Sequence, residues 1–181
     1  ERTGRGQYLD LSLIESQAWW GVIQAVAYLL SGRPPAKLGN DHQSIVPYGS
    51  FRAQDDYLII ACATESLWER LCEVLEMPEL RDDPRYRLNR DRVVRREEVR
   101  QEVEKRLAAQ PAEVWLSRLR AAGIPCGPIY DIPRMLSDEQ MVARGFVVEQ
   151  AHPTAGTLRT LASPLHLSET PASYRRHPPL L

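Results

Sequence analysis

Tyr48-Gly-Ser-Phe-Arg-Ala53, then Gln54-Asp-Asp56, then Tyr57-Leu-Ile-Ile-Ala-Cys-Ala63 is the stretch that decides the fold class. Two short runs rich in aromatic and β-branched residues flank a polar three-residue break, which predicts an antiparallel hairpin. A lone hairpin is marginal in water, so its apolar face needs helices against it. The next residues supply one. Thr64 or Ser66 can cap a helix, Ser66 with Glu69 has the capping-box spacing, and Leu67, Trp68, Leu71, Val74 and Leu75 form an apolar stripe.

Further downstream the pattern repeats. Val93 to Ala109 reads as a helix with a charged outer face, where Arg100–Glu104 and Glu102–Arg106 stand at i,i+4. Pro111 opens another helix, closed at Ala121-Ala122 with Gly123 as the left-handed cap. Val114, Trp115, Leu119, Ala122 and the stem of Arg118 are its expected buried face. Ile124 to Tyr130 is a tight run bent by two prolines and a glycine. Asp131 then caps a short helix, and a second runs from Asp138 to Ala143. Phe146–Gln150 and Thr157–Leu161 alternate as strands around His152-Pro-Thr-Ala-Gly156, a second hairpin. The proline-rich tail beyond Ser163 reads as extended. The sum is α+β: antiparallel hairpins packed with helices.

Upstream of the first hairpin the character changes. Tyr8 to Leu13 alternates as a short strand, and Ile14 to Leu30 reads as one helix ended by Ser31-Gly32, Pro34 and Pro35. Trp19, Trp20, Val22, Ile23, Val26 and Tyr28 cover most of its circumference. A helix apolar all round must be buried all round. The rest of this chain is not expected to wrap it, so further polypeptide or a partner subunit is. Pro34 to Ser50 has little regular pattern and reads as a linker.

Composition narrows the function classes. The 181 residues are 43% hydrophobic and 26% charged, which suits a folded domain with a polar surface. A net charge of −1 provides no field for nucleic acid or an anionic membrane, and neither partner is expected. Ala18 to Leu30 is apolar but too short to span a bilayer. Cys62, Cys72 and Cys126 form no C-x-x-C pair, so a disulfide framework and a zinc site are not indicated; no metal is expected, and a reducing cytoplasm is the simplest compartment.

Catalytic constellations are sparse. There is no dinucleotide-binding glycine loop, phosphate-binding loop, His-Glu-x-x-His or Gly-x-Ser-x-Gly. His152, His166 and His177 read as exposed loop residues, Cys126 as structural, and the charge-rich Arg81–Arg106 region as a solvated face. His42 stands apart, because Asp41-His-Gln-Ser-Ile-Val-Pro-Tyr48 follows a linker and leads into a strand, where binding groups tend to sit.

Four segments, in order, resemble those of family III CoA-transferases, the carnitine and formyl-CoA transferase (CaiB/BaiF) type. They are Thr3-Gly-Arg-Gly-Gln7 with Tyr8–Leu13, His42–Tyr48 with Asp55–Ile60, Gly123-Ile-Pro-Cys-Gly-Pro-Ile129, and His152–Gly156. The resemblance implies that residues 1–32 are the last strand and helix of a Rossmann-like large domain otherwise missing from this chain. Residues 33–47 would be a linker lining the cleft, 48–145 the small α+β domain, and 146–181 a hairpin and extended return segment. It implies CoA transfer from an acyl-CoA donor to a small carboxylic acid, in an interlocked homodimer. A coenzyme A thioester is then the substrate and no cofactor is permanently bound.

The family's nucleophile is a large-domain aspartate that forms an aspartyl-CoA intermediate, a covalent route that splits one hard exchange into easier steps. That aspartate lies before the segment matching Thr3, so no catalytic residue is carried over and the chain alone is expected to be inactive. Leu13 matches a position facing the acyl pocket. His42, Ser44, Pro47 and Tyr48 match the segment that approaches the active site, where His42 and Ser44 can orient an acyl carboxylate. The flavour of His42–Tyr48 points to a dicarboxylic acceptor. The glycine-rich flap of some relatives is absent here. Two other readings stay open at this stage. One is an α-methylacyl-CoA racemase of the same superfamily, using an acid/base pair. The other is a non-catalytic interaction module that docks through Trp19–Leu30.

Overall fold

In the computed structural model, which describes residues 4–179, the chain divides between Gln43 and Ser44 into two units. Thr3 of the Thr3–Gln7 segment and the final Leu180 and Leu181 lie outside the described residues.

The first unit holds α1 (Leu13–Trp19) and α2 (Val22–Ser31). The strand expected over Tyr8–Leu13 does not form, and the reason is local. Ser12-Leu-Ile-Glu15 is a capping box: Ser12 Oγ accepts from Glu15 N at 3.1 Å and donates to the Glu15 carboxylate at 2.6 Å, starting a helix at Leu13. Alternation without a neighbouring strand has no ladder to stabilise it. The single helix expected over Ile14–Leu30 is also broken in two. At Trp20 and Gly21 the N–H groups reach back three residues, to Gln17 O and Ala18 O, and Gly21 leaves helical geometry. Gly32, at φ 68°, closes α2 with its N–H on Tyr28 O. No residue of either helix is buried; Trp20 and Leu30 are each 85% exposed.

In the second unit the first hairpin forms where its sequence predicts. β1 (Tyr48–Arg52) pairs antiparallel with β2 (Tyr57–Ala61), Tyr48 opposite Ala61 and Arg52 opposite Tyr57. Then come α3 (Glu65–Val74), α4 (Pro78–Arg81), a 3-10 turn (Pro84–Tyr86), α5 (Asn89–Val94), α6 (Arg96–Leu107) and α7 (Ala112–Ala121). The Ile124–Tyr130 run contains β3 (Cys126–Pro128), which completes a three-stranded sheet in the order β1-β2-β3. An edge strand tolerates prolines because its outer side needs no donor. After it follow α8 (Ile132–Ser137), α9 (Glu139–Ala143) and the hairpin β4 (Val147–His152) with β5 (Gly156–Leu161).

The core sits between the sheet and the helices. α6 lies against β1, α7 against β2 and β3, and α3 against α7. Leu58 and Ile60 of β2 meet Trp68, Leu71, Val99, Val103, Leu107, Leu116 and Leu119 there, all almost wholly buried. Each such side chain contributes about 1.5–3 kcal/mol on leaving water.

Several local readings need correction. Thr64, rather than Ser66, caps α3 by accepting from Leu67 N at 3.3 Å. The Val93–Ala109 helix is two, because Arg95 N bonds Arg92 O and tightens the turn between α5 and α6. Arg106 pairs with Glu79 at 2.6 Å instead of Glu102, while Arg100–Glu104 forms at 3.0 Å. On α7 the buried residues are Ala112, Trp115, Leu116 and Leu119; Val114 is exposed and Arg118 lies over the Trp115 ring. Among the described residues no helix is long and apolar enough to cross a membrane.

Candidate functional site

Ser44-Ile-Val-Pro-Tyr48 leads into β1 and is held by two side chains of α5 and by one backbone N–H just past β2. Val46 and Pro47 are buried, whereas Ser44 and Tyr48 are exposed. The Val46–Pro47 peptide is cis. Asn89, at the start of α5, uses both ends of its amide on this segment. Its Oδ1 accepts from Val46 N at 3.0 Å and its Nδ2 donates to Ser44 O at 2.7 Å. Arg92, one turn on, donates from Nε to Val46 O at 2.7 Å. Cys62 N, just past β2, donates to Pro47 O at 3.0 Å.

Arg92 is the exception to the solvated face expected over Arg81–Arg106, since it is 0% exposed. A charge taken out of water must be paired and hydrogen-bonded. Arg92 meets that demand with every nitrogen. Besides Val46 O, its Nη1 donates to Tyr86 O at 2.8 Å and Arg87 O at 2.9 Å, and its Nη2 to Glu65 Oε2 at 2.7 Å. Its guanidinium lies 5.0 Å from the centroid of Trp68, a cation–π contact.

Glu65, in the first turn of α3, ties the two clamps together. Its other oxygen accepts from Asn89 N at 2.9 Å. Desolvation pushes the Glu65 carboxyl up, but the Asn89 N–H and the Arg92 guanidinium outweigh it, and its pKa falls below the ordinary value. Glu65, Asn89 and Arg92 thus hold the backbone of Ser44 and Val46 from one side. None of the three stands out in the sequence as a functional residue. The one available signal is that Asn89 and Arg92 share a helix face at i,i+3.

Of the residues singled out by sequence, Ser44, Pro47 and Tyr48 belong to this clamped segment. Leu13 begins α1 and His42 lies near the end of the first unit, where it is half-buried. The other candidates carry no comparable setting. Burial pushes Cys62 and Cys72 up to about 12, so both remain thiols, and Cys126 is raised for the same reason. His152 closes the second hairpin by accepting at Nδ1 from Ala155 N at 3.1 Å. A cleft of about 770 Å³ beside Tyr130, Arg134 and Asp138, and another of about 440 Å³ beside Lys105, Arg106 and Arg118, include none of Ser44, Pro47 and Tyr48. Among the described residues no group of His, Cys, Asp and Glu is arranged to hold a metal ion.

Comparison with known proteins identifies what carries this arrangement. The model of CoA-transferase family III matches residues 1–181. The succinyl-CoA:glutarate CoA-transferase of Mus musculus is 34% identical over 180 residues, 99% of this chain and 41% of that protein. The succinate–glutarate CoA-transferase of Agrobacterium fabrum is 34% identical over 180 residues, 99% of this chain and 45% of that protein. The crystal structure of a CAIB/BAIF family protein from Brucella suis superimposes with a TM-score of 0.77 at 31% identity, over 94% of this chain and 44% of that one. The chain therefore spans less than half the length of these relatives.

Proposed function

The chain belongs to CoA-transferase family III, and from that membership we propose that it forms part of an enzyme moving CoA from an acyl-CoA to a dicarboxylic acid. The match of the family model along residues 1–181 carries this reading. The names of the mouse and Agrobacterium relatives, which pair succinyl-CoA or succinate with glutarate, support the dicarboxylate.

The chemistry proposed is covalent exchange at an aspartate outside these residues. The aspartate carboxylate attacks the thioester carbonyl and expels CoA thiolate, leaving a mixed anhydride. The thiolate then attacks the aspartyl carbonyl, releasing the donor acid and forming an aspartyl-CoA thioester. The acceptor carboxylate repeats the two steps in reverse order, and the aspartate is regenerated. The part of these residues is binding. His42 and Ser44 present donors to the remote carboxylate of a dicarboxylic acyl group, Pro47 and Tyr48 shape the same segment, and Leu13 lines the acyl pocket. An anion held away from water needs such donors. The exposed apolar surfaces of α1 and α2 are covered in the working enzyme by its remaining polypeptide and by a second subunit in a homodimer. The three cysteines, all free thiols, suit a reducing, cytoplasmic setting.

The test uses the protein that carries this segment. Succinyl-CoA and glutarate should yield glutaryl-CoA and succinate by chromatography, and acyl-CoA alone should add one CoA to the protein in mass spectrometry. Absence of transfer to every dicarboxylate tried would end the proposal. His42→Ala should raise KM for the dicarboxylate about tenfold or more, as loss of a charge-assisted hydrogen bond does. Unchanged constants for the acid would remove His42 from the site.

A further inference from the structure

Among the described residues no strand pairs with the outer edge of β1, yet backbone groups of β1 are met by side chains of α6, and those of the segment before it by side chains of α5. β1 is an edge strand in the β1-β2-β3 sheet. On its outer side Ser50 O accepts from Arg100 Nη1 at 2.9 Å and Arg52 N donates to Glu104 Oε1 at 3.2 Å. Six residues earlier, before the strand begins, Ser44 O and Val46 N bond the Asn89 amide and Val46 O accepts from Arg92. Residues 50 and 52 share one parity and so face the outer edge of β1, while residues 44 and 46 precede the strand. Helix α6 thus supplies β1 with side-chain partners that a fourth strand would supply through its backbone, and α5 does the same for the segment before it.

The two regions are held differently. β1 itself is fixed by its register with β2, and its side-chain partners are additional. Ser44 to Val46 precede the paired residues and have no strand on either side. Asn89 and Arg92 hold their backbone through its N–H and carbonyl groups. Arg92 also serves Tyr86, Arg87 and Glu65, so it is woven into the core. Asn89 spends both ends of its amide on the segment alone, in the donor-and-acceptor pattern of a peptide unit.

We propose that Asn89 is a positioning residue: its amide sets the conformation of Ser44–Val46 and thereby the enzyme's preference for acids with a second carboxylate. This rests on the reading of His42–Tyr48 as the segment that receives that carboxylate. Donors must be held within a fraction of an ångström of their target to discriminate, and a loosened segment loses that preference first. An acid without a remote carboxylate gains nothing from the segment's precise placement.

The experiment compares kcat/KM for glutarate and for butyrate, a monocarboxylate of similar length, in the protein that carries this segment. Asn89→Ala should lower the glutarate-to-butyrate ratio about tenfold or more, with a native circular dichroism spectrum. Asn89→Asp is isosteric and keeps the acceptor for Val46 N, but sets a carboxylate oxygen against Ser44 O. Its ratio should fall between the two, and it decides the matter if Asn89→Ala does not fold. A ratio equal to wild type in the folded variant, whether both rates persist or both fall alike, overturns the positioning role. A wild-type protein that moves CoA to no acid overturns the proposed function and this inference with it. An active wild type whose preference survives the substitution overturns this inference alone.

Discussion

Helix α2 and helix α3 have equal length and opposite fates. Val22-Ile-Gln-Ala-Val-Ala-Tyr-Leu-Leu-Ser31 carries one polar residue before its terminal serine, and none of its residues is buried. Glu65-Ser-Leu-Trp-Glu-Arg-Leu-Cys-Glu-Val74 is half polar, yet it buries Trp68, Leu71 and Cys72. The less apolar helix is the better covered one. Its apolar residues fall on one stripe, which a single layer of neighbours can cover, while those of α2 face every direction. Apolar content says that a surface must be covered; periodicity says whether the local fold can do it.

The sharpest way to break that contrast is to truncate a tryptophan in each region and follow urea unfolding of the second unit. Trp68→Ala should cost about 3–5 kcal/mol, as large-to-small core changes do. Trp20→Ala should leave the same transition within about 0.5 kcal/mol, as exposed substitutions do. Equal losses would mean that both regions belong to one core. A milder version uses two of the left-handed glycines, one from each unit. Gly123, at φ 67°, closes α7 with Ile124 N on Leu119 O, and an added Cβ would approach Arg70 Nη1 at 3.1 Å. Gly123→Ala should therefore cost about 1 kcal/mol, whereas Gly32→Ala, at φ 68° just past α2, should not move the transition.

Acid should act on the second unit through Glu65. Its pKa is lowered in the folded state despite desolvation, by Asn89 N–H and Arg92, so the unfolded chain binds its proton first. The stabilisation is complete above the ordinary value of 4.5 and is lost as pH falls through the lower folded value. Denaturant midpoints measured from pH 6 downward should fall less steeply in Glu65→Gln than in wild type. Parallel curves would remove Glu65 from the clamp's energetics.

Much of the second unit was legible because its signals are local. The Tyr48–Ala53 and Tyr57–Ala63 runs, Asp131 as a cap and Gly123 as a left-handed terminator each depend on a few adjacent residues. Two errors had the same cause, a periodic pattern weighed above a cap. Ser12–Glu15 starts a helix where alternation suggested a strand, and Gly21 breaks one where apolar continuity suggested none. β3 was hidden because two prolines flank Cys126-Gly127, and only an edge position beside β2 makes such a strand tenable. Ser44, Pro47 and Tyr48 were singled out through family resemblance rather than chemistry. Asn89, Arg92 and Glu65 were not found at all.

What the chain's sequence determined by itself was the α+β class, the hairpins, most helix ends and the demand of α2 for cover, since each follows from spacing within a dozen residues. What only the tertiary structure decided was the fate of one arginine among many. In the string Asn89-Arg90-Asp91-Arg92 the two arginines are alike, and nothing short of folding distinguishes the one drawn inside. Arg92 is buried because Val46, Tyr86, Arg87 and Glu65, from 5 to 46 positions away, bring their oxygens to its nitrogens. Long-range partners of that kind repay desolvation only when all arrive together, which is a property of the fold and not of any window of sequence.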